Sequence, residues 1–71
     1  MSQLNEQFGK RLQFLRKRAN MTQEELASAT GLTYEAISNF ERGIHGVKFA
    51  ALEKIADALN IQVKELFEFS E

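Results

Sequence analysis

The 71-residue chain has no cysteine, no proline and no tryptophan, and its one histidine, His45, lies in a stretch flanked by glycines. Without cysteine there is neither a disulfide framework nor a thiolate zinc site, which suits a reducing cytoplasm. A lone histidine leaves no nucleophile or ligand set around it. Glu24 and Glu25 are adjacent and point to different sides of a helix, so they form no paired-carboxylate centre. The four glycines are isolated, which excludes a glycine-rich phosphate loop. No apolar run is long enough to span a bilayer, and the start, Met-Ser-Gln-Leu-Asn-Glu, lacks the basic and apolar regions of a signal peptide. There is no repeat, low-complexity segment or linker. Together these absences argue against an enzyme, a metal, a cofactor and a membrane partner, and no small-molecule effector is apparent.

What is present is 44% hydrophobic and 27% charged residues, the balance of one globular domain, which is expected to span residues 1–71, to be complete as written and to lack a sensor domain. A chain of this length buries only about 60% of its unfolded surface. Its core is therefore marginal, and dimerisation would help it. The formal net charge of −1 alone argues against a nucleic-acid partner, but its distribution argues the other way. Residues 1–48 carry seven Lys/Arg against five Asp/Glu, whereas residues 49–71 carry two against five. Lys10, Arg11, Arg16, Lys17 and Arg18 gather in one segment, while Glu65, Glu68 and Glu71 crowd the C-terminus. Such polarity orients a molecule on DNA, although solvated faces of this kind are also ordinary.

The chain is organised around Thr22 to Gly43, TQEELASATGLTYEAISNFERG. Thr22 followed by Glu25 is a capping box that starts a helix. Its inward positions are Leu26, Ala27, Ala29 and Thr30, and Gly31 supplies the left-handed residue that closes it. Thr33 caps a second helix, in which Ile37, Phe40 and Glu41 recur at helical spacing until Arg42-Gly43. The turn of about three residues forces a steep crossing, as in a helix-turn-helix.

Upstream, a helix over about Leu4 to Arg18 carries Leu4, Phe8, Leu12, Leu15 and Ala19 as its core stripe. Gly9 inside it lowers helix propensity by about 1 kcal/mol relative to Ala, which implies that another backbone or a ring passes close. Phe14 lies off the stripe. Asn20 takes a left-handed position after it, and Met21 packs before the next cap. Downstream, residues 43–47 form a loop, and a fourth helix over about Lys48 to Leu59 buries Phe49, Leu52, Ile55, Ala56 and Leu59 before Asn60 stops it. A short fifth helix, Val63 to Phe67, completes an all-α reading of five helices.

The pattern TQEELA…G…T…IS..ERG resembles the helix-turn-helix of the Cro/cI-type (XRE) regulators. GKRLQFLRKRANMTQEELA is similar to the family's first helix, and LEKIADALNIQVKELF to its fourth and fifth, so the likeness runs from about Phe8 to Phe67. It implies a lambda-repressor-like bundle and a transcriptional regulator, acting as a homodimer on a double-stranded DNA operator of two half-sites. The second helix of the motif, Thr33 to Arg42, would enter the major groove, with Tyr34, Glu35, Ser38 and Asn39 on the face away from Ile37 and Phe40. Asn39 suits adenine, Glu35 suits cytosine, and Thr33 combines capping with contact to a thymine methyl. Glu35 alternatively stabilises its own first turn, and Tyr34 alternatively packs on the sugar. The family places phosphate contacts at Gln23, Arg42, His45 and Lys48, and an ion pair between Arg16 and Glu41.

Two positions depart from the family pattern. Val47 and Lys48 stand where Pro then Ser or Thr usually begin the fourth helix, which leaves that start uncapped unless an anion binds it. Gln62 replaces a Ser or Thr cap, so the fifth helix is expected to fray in a monomer. Ile61, Val63, Leu66, Phe67 and Phe69 exceed what one short helix buries. With Leu66 and Phe67 assigned to the core, Ile61, Val63 and Phe69 are the expected dimer contacts. The rival reading is a protein-interaction module, because the same fold serves in antitoxins and adaptors.

Overall fold

Gln3–Arg18 form α1 in the computed structural model, which describes residues 3–69. Phe8, Leu12 and Leu15 of α1 are buried, four then three residues apart, as a helix facing a core requires. Asn20 adopts φ 60°, so the chain leaves α1 through a left-handed residue and turns into the next cap. The Thr22 hydroxyl then accepts from the Glu25 amide at 3.0 Å, and the Glu25 carboxylate accepts from the Thr22 amide at 2.8 Å. This reciprocal pair starts α2, Gln23–Thr30.

The turn out of α2 is built by two residues. Gly31 takes φ 73°, which a side chain would disfavour. Thr30 is buried, and its hydroxyl donates to the carbonyls of Leu26 and Ala27 while accepting from the Leu32 amide at 3.3 Å. The buried hydroxyl is thus fully satisfied, and it fixes where the chain re-emerges. Thr33 caps α3, Tyr34–Glu41, by accepting from the Ala36 amide at 3.0 Å. α4, Phe49–Leu59, buries Leu52, Ile55, Ala56 and Leu59 and ends at Asn60 with φ 58°. α1 packs on α3, and α2 packs on both α3 and α4. Leu12, Leu26, Ile37, Ile55 and Leu66 meet at the centre with no exposed surface.

Several expectations are corrected. The last element, Val63–Phe67, is a 3-10 turn, so the described residues hold four α-helices and no strand. Its start is not frayed: the Glu65 carboxylate accepts from the Gln62 amide at 2.9 Å, and the Glu65 amide donates to the Gln62 carbonyl at 3.0 Å. Leu4, Ala19, Ala29 and Phe49 lie outside the core, with Leu4 53% and Phe49 85% exposed. Leu4 and Phe49 sit on the first turns of α1 and α4, and Val47 packs against the core two residues before Phe49. Ala19 follows the last residue of α1, where the chain is already turning, and Ala29 lies on the outer side of α2. Phe67 is also open, at 39%, its ring tilted by 41° against that of Phe8 and edge-on, at 61°, to that of Phe69.

Candidate nucleic-acid interface

The site is built on α3, and α3 is held from behind. Arg16 donates from Nε to Glu41 Oε2 at 2.6 Å and from Nη2 to Glu41 Oε1 at 3.1 Å, and from Nη1 to the Met21 carbonyl at 2.7 Å. Both side chains are buried, at 8% and 2% exposure. The hydrogen bond that Arg16 donates to Glu41 holds the Arg16 guanidinium above its ordinary basicity, against burial, which lowers it. Gln23 joins this cluster, donating from Nε2 to Glu41 Oε1 at 3.0 Å. One carboxylate at the end of α3 therefore ties α1, the start of α2 and α3 together. Gly9 completes the seat: a Cβ there would stand 2.5 Å from the Glu41 carbonyl oxygen and 2.6 Å from that of Phe40. The backbone implied by that glycine is thus the last turn of α3.

Ile37 of α3 points into the core with no exposed surface, which turns the other faces of the helix outward. Tyr34 is 53% exposed, Thr33 and Glu35 are exposed, and Ser38 and Asn39 are half-buried. The side chains of Tyr34, Glu35, Ser38 and Asn39 have no hydrogen-bond partner among the described residues, whereas the Thr33 hydroxyl is engaged as the cap. Glu35 sits in the first turn, where a carboxylate also complements the free amides of the helix.

After α3, Arg42 caps in the right-handed region and Gly43 takes φ 74°. The Ile44 amide donates to the Asn39 carbonyl at 3.1 Å, folding the loop back under the helix end. Arg42, His45 and Lys48 are all exposed. Lys48 occupies the N-cap of α4 with φ −70° and ψ 155° and makes no side-chain cap bond, so the first amides of α4 remain open beside an ammonium group. Gln23 differs from these three, because its side-chain amide is spent on Glu41 and its backbone amide at the start of α2 is the part left to meet an anion. No group of three or more His, Cys, Asp or Glu is gathered as metal ligands would be among the described residues.

Ile61, Val63 and Phe69 are not brought together. Ile61 and Val63 line an open groove with Glu53, Ala56, Asp57 and Gln62. Phe69 lines a different one, with Gln7, Lys10, Arg11, Phe14 and Glu68. Sequence reasoning missed Arg11, which is buried: its Nε donates to the Glu65 carbonyl at 2.9 Å, and Nη2 lies 3.5 Å from Glu68. Its position between Phe8 and Leu12, on the buried half of α1, was the available signal. Among the described residues no helix is long and apolar enough to cross a membrane.

Comparison with known proteins places this arrangement. The family model described as HTH_3, helix-turn-helix, matches residues 2–66. The chain is 40% identical over 63 residues to the competence pilus inhibition repressor of Acinetobacter baylyi, covering 89% of this chain and 57% of that protein. It is 39% identical over 64 residues to the control protein C.BamHI of Bacillus amyloliquefaciens, covering 89% of this chain and 79% of that one. Among solved structures, the restriction-modification controller protein C.AhdI from Aeromonas hydrophila superposes with a TM-score of 0.87 at 38% identity, over 89% of this chain and 96% of that chain. The chain thus spans little more than half of the Acinetobacter repressor and nearly all of the solved controller. With a capped helix pair, a three-residue turn and a matching family model over nearly its whole length, the chain belongs to the XRE-type helix-turn-helix family of DNA-binding transcriptional regulators.

Proposed function

We propose that the protein is a homodimeric, sequence-specific regulator that binds a two-half-site operator with α3 of each subunit in the major groove. The observation that carries this reading is the outer face of α3, where Tyr34, Glu35, Ser38 and Asn39 have no side-chain hydrogen-bond partner among the described residues while the helix behind them is fixed by Arg16 and Glu41. Rigid support with free donors and acceptors is what reading base edges requires. Asn39 offers the amide that pairs with adenine, Glu35 an acceptor for cytosine, and Thr33 a methyl group. Arg42, His45, Lys48 and the Gln23 backbone amide supply the phosphate contacts that set register. Likeness to a repressor and to restriction-modification controllers supports a regulatory role in the cytoplasm. Ile61 and Val63, sharing one groove, carry the dimer contact in this reading.

Selection of bound duplexes from a random pool tests it directly. An enriched motif with two inverted half-sites about one helical turn apart, near 34 Å, is the expected result. A pool that remains random after several rounds at low salt removes the regulator reading. Exposed Phe14, with the guanidinium carbons of Arg11 and Arg18 at 5.5 and 5.7 Å from its ring centre, favours an interaction module as the second reading. Partner capture without any duplex selection would establish that one.

A further inference from the structure

On the side of α1 turned away from Leu12 and Arg16, Gln7, Arg11, Phe14 and Arg18 follow one another at steps of four, three and four, with Lys10 and Lys17 alongside. No acidic residue interrupts the stretch from 7 to 18, so a chain of net charge −1 gathers positive charge here. Phe14 is 46% exposed in the middle of the row, and the guanidinium carbons of Arg11 and Arg18 bracket its ring within the reach of cation–π contact. Arg11 is itself held by the Glu65 carbonyl and by Glu68. Phe69 comes in from the C-terminal segment, its ring centre 6.1 Å from that of Phe67, which lies 5.5 Å from that of Phe8. Phe14, Phe69, Gln7, Lys10, Arg11 and Glu68 line an open groove of about 270 Å³. An apolar cavity of about 150 Å³ already takes a benzene ring, so this one has room for an aromatic side chain.

A duplex held by α3 does not account for this surface. Gly9 and Arg16, the residues of α1 that seat α3, lie about 140–180° around the helix from Arg11, Phe14 and Arg18, at about 100° per residue. The row therefore faces away from the recognition helix. We propose that it docks an acidic segment of another protein, with one aromatic side chain of that segment seated between Phe14 and Phe69 and flanking carboxylates on Lys10, Lys17 and Arg18. This goes beyond the operator reading and needs neither the homodimer nor the DNA. Charge selects the partner. Lys10 and Lys17 have no ion-pair or hydrogen-bond partner among the described residues, Arg18 has only the ring of Phe14, and the one carboxylate in the groove, Glu68, is already on Arg11. Two ring walls favour a third ring set edge-to-face or offset against them. A nucleic-acid strand stacks successive bases on several rings, whereas this groove holds one.

The test titrates the full chain against a short labelled peptide of Asp and Glu with one central Phe, by fluorescence anisotropy and amide chemical-shift mapping. Two control peptides replace the Phe by Ser, or every acid by its amide. Phe14→Ala and the pair Lys10→Gln with Arg18→Gln alter exposed side chains outside the core, and circular dichroism verifies that both variants fold. Saturable binding with shifts along residues 7–18 and 68–69 is expected, weakened about tenfold by loss of the peptide ring or of Phe14. The Lys10 and Arg18 pair variant should bind more weakly at low salt and with a flatter salt dependence. Added duplex should leave the peptide in place. Equal binding of the peptide without Phe, or an unchanged Phe14→Ala, reduces the contact to diffuse charge and overturns the proposal. Shifts centred on α3 and residues 42–48, or displacement by duplex, mark a DNA mimic on the DNA face and also overturn it. Tighter binding of an oligothymidine strand to the Phe14 row assigns that row to single-stranded nucleic acid, and no saturation by about 1 mM leaves no site at all; either overturns it. Peptide binding as expected in a chain that selects no duplex leaves this site standing while the operator reading falls.

Discussion

Arg16 of α1 holds Glu41, the last residue of α3, through two guanidinium nitrogens at 2.6 and 3.1 Å, across 25 positions of sequence. The third guanidinium nitrogen and the Gln23 amide close the cluster, so no buried side-chain polar atom of the described residues is left unpaired. Removing one member of such a pair leaves the other charged, buried and alone, at a penalty of about 3–5 kcal/mol. Glu41→Ala should therefore melt more than about 10 °C below the parent, because a domain of this size loses roughly 4–8 °C per kcal/mol. A scanning calorimetry trace within two degrees of the parent would sink the assignment.

Gly9→Ala should destabilise although alanine is the better helix former by about 1 kcal/mol. The added methyl meets two backbone carbonyls, at 2.5 and 2.6 Å, and backbone cannot swing aside as a side-chain end can. A net loss of about 1–3 kcal/mol in chemical denaturation is expected. A gain in stability would mean that α1 and α3 pack with more room between them.

Lys48→Ser separates stability from binding. The backbone at Lys48, φ −70° and ψ 155°, already matches that of the hydroxyl caps Thr22 and Thr33, so serine there caps α4 without rearrangement. Stability should rise by about 1 kcal/mol. Affinity for any duplex should fall at the same time, with the log-log salt slope flattened by about one unit for each lost phosphate contact. Urea melts and anisotropy titrations on one preparation measure both. Unchanged DNA binding would show that Lys48 holds no phosphate.

Asn39→Ala is expected to fail in the opposite manner. Losing a bidentate base contact lowers cognate affinity by about 1–3 kcal/mol per contact and relaxes preference at one position in each half-site. Binding to scrambled DNA and its salt slope should stay as in the parent. Equal loss on both duplexes, with a flattened slope, makes Asn39 a backbone contact and moves the reading of sequence to Tyr34, Glu35 or Ser38.

What the sequence determined by itself is local. The Thr22–Glu25 box, the Thr33 cap, the left-handed Asn20, Gly31 and Asn60, and the missing cap at Lys48 are all decided within three or four residues, by hydrogen bonds that need nothing else in the fold. Helical periodicity likewise gave the direction in which Phe8, Leu12, Leu15, Ile37, Leu52 and Ile55 point, and all are buried. Periodicity says where a side chain aims but not whether anything lies opposite, so Leu4 and Phe49 kept the phase of the core and stayed in water. Only the tertiary structure decided that Gly9 seats the last turn of α3, that the Gln23 side chain is occupied by Glu41, and that Arg11 is buried against the Glu65 carbonyl. It also parted Phe69 from Ile61 and Val63, because which apolar residues share a groove depends on how distant helices stack, and no spacing along the chain encodes that.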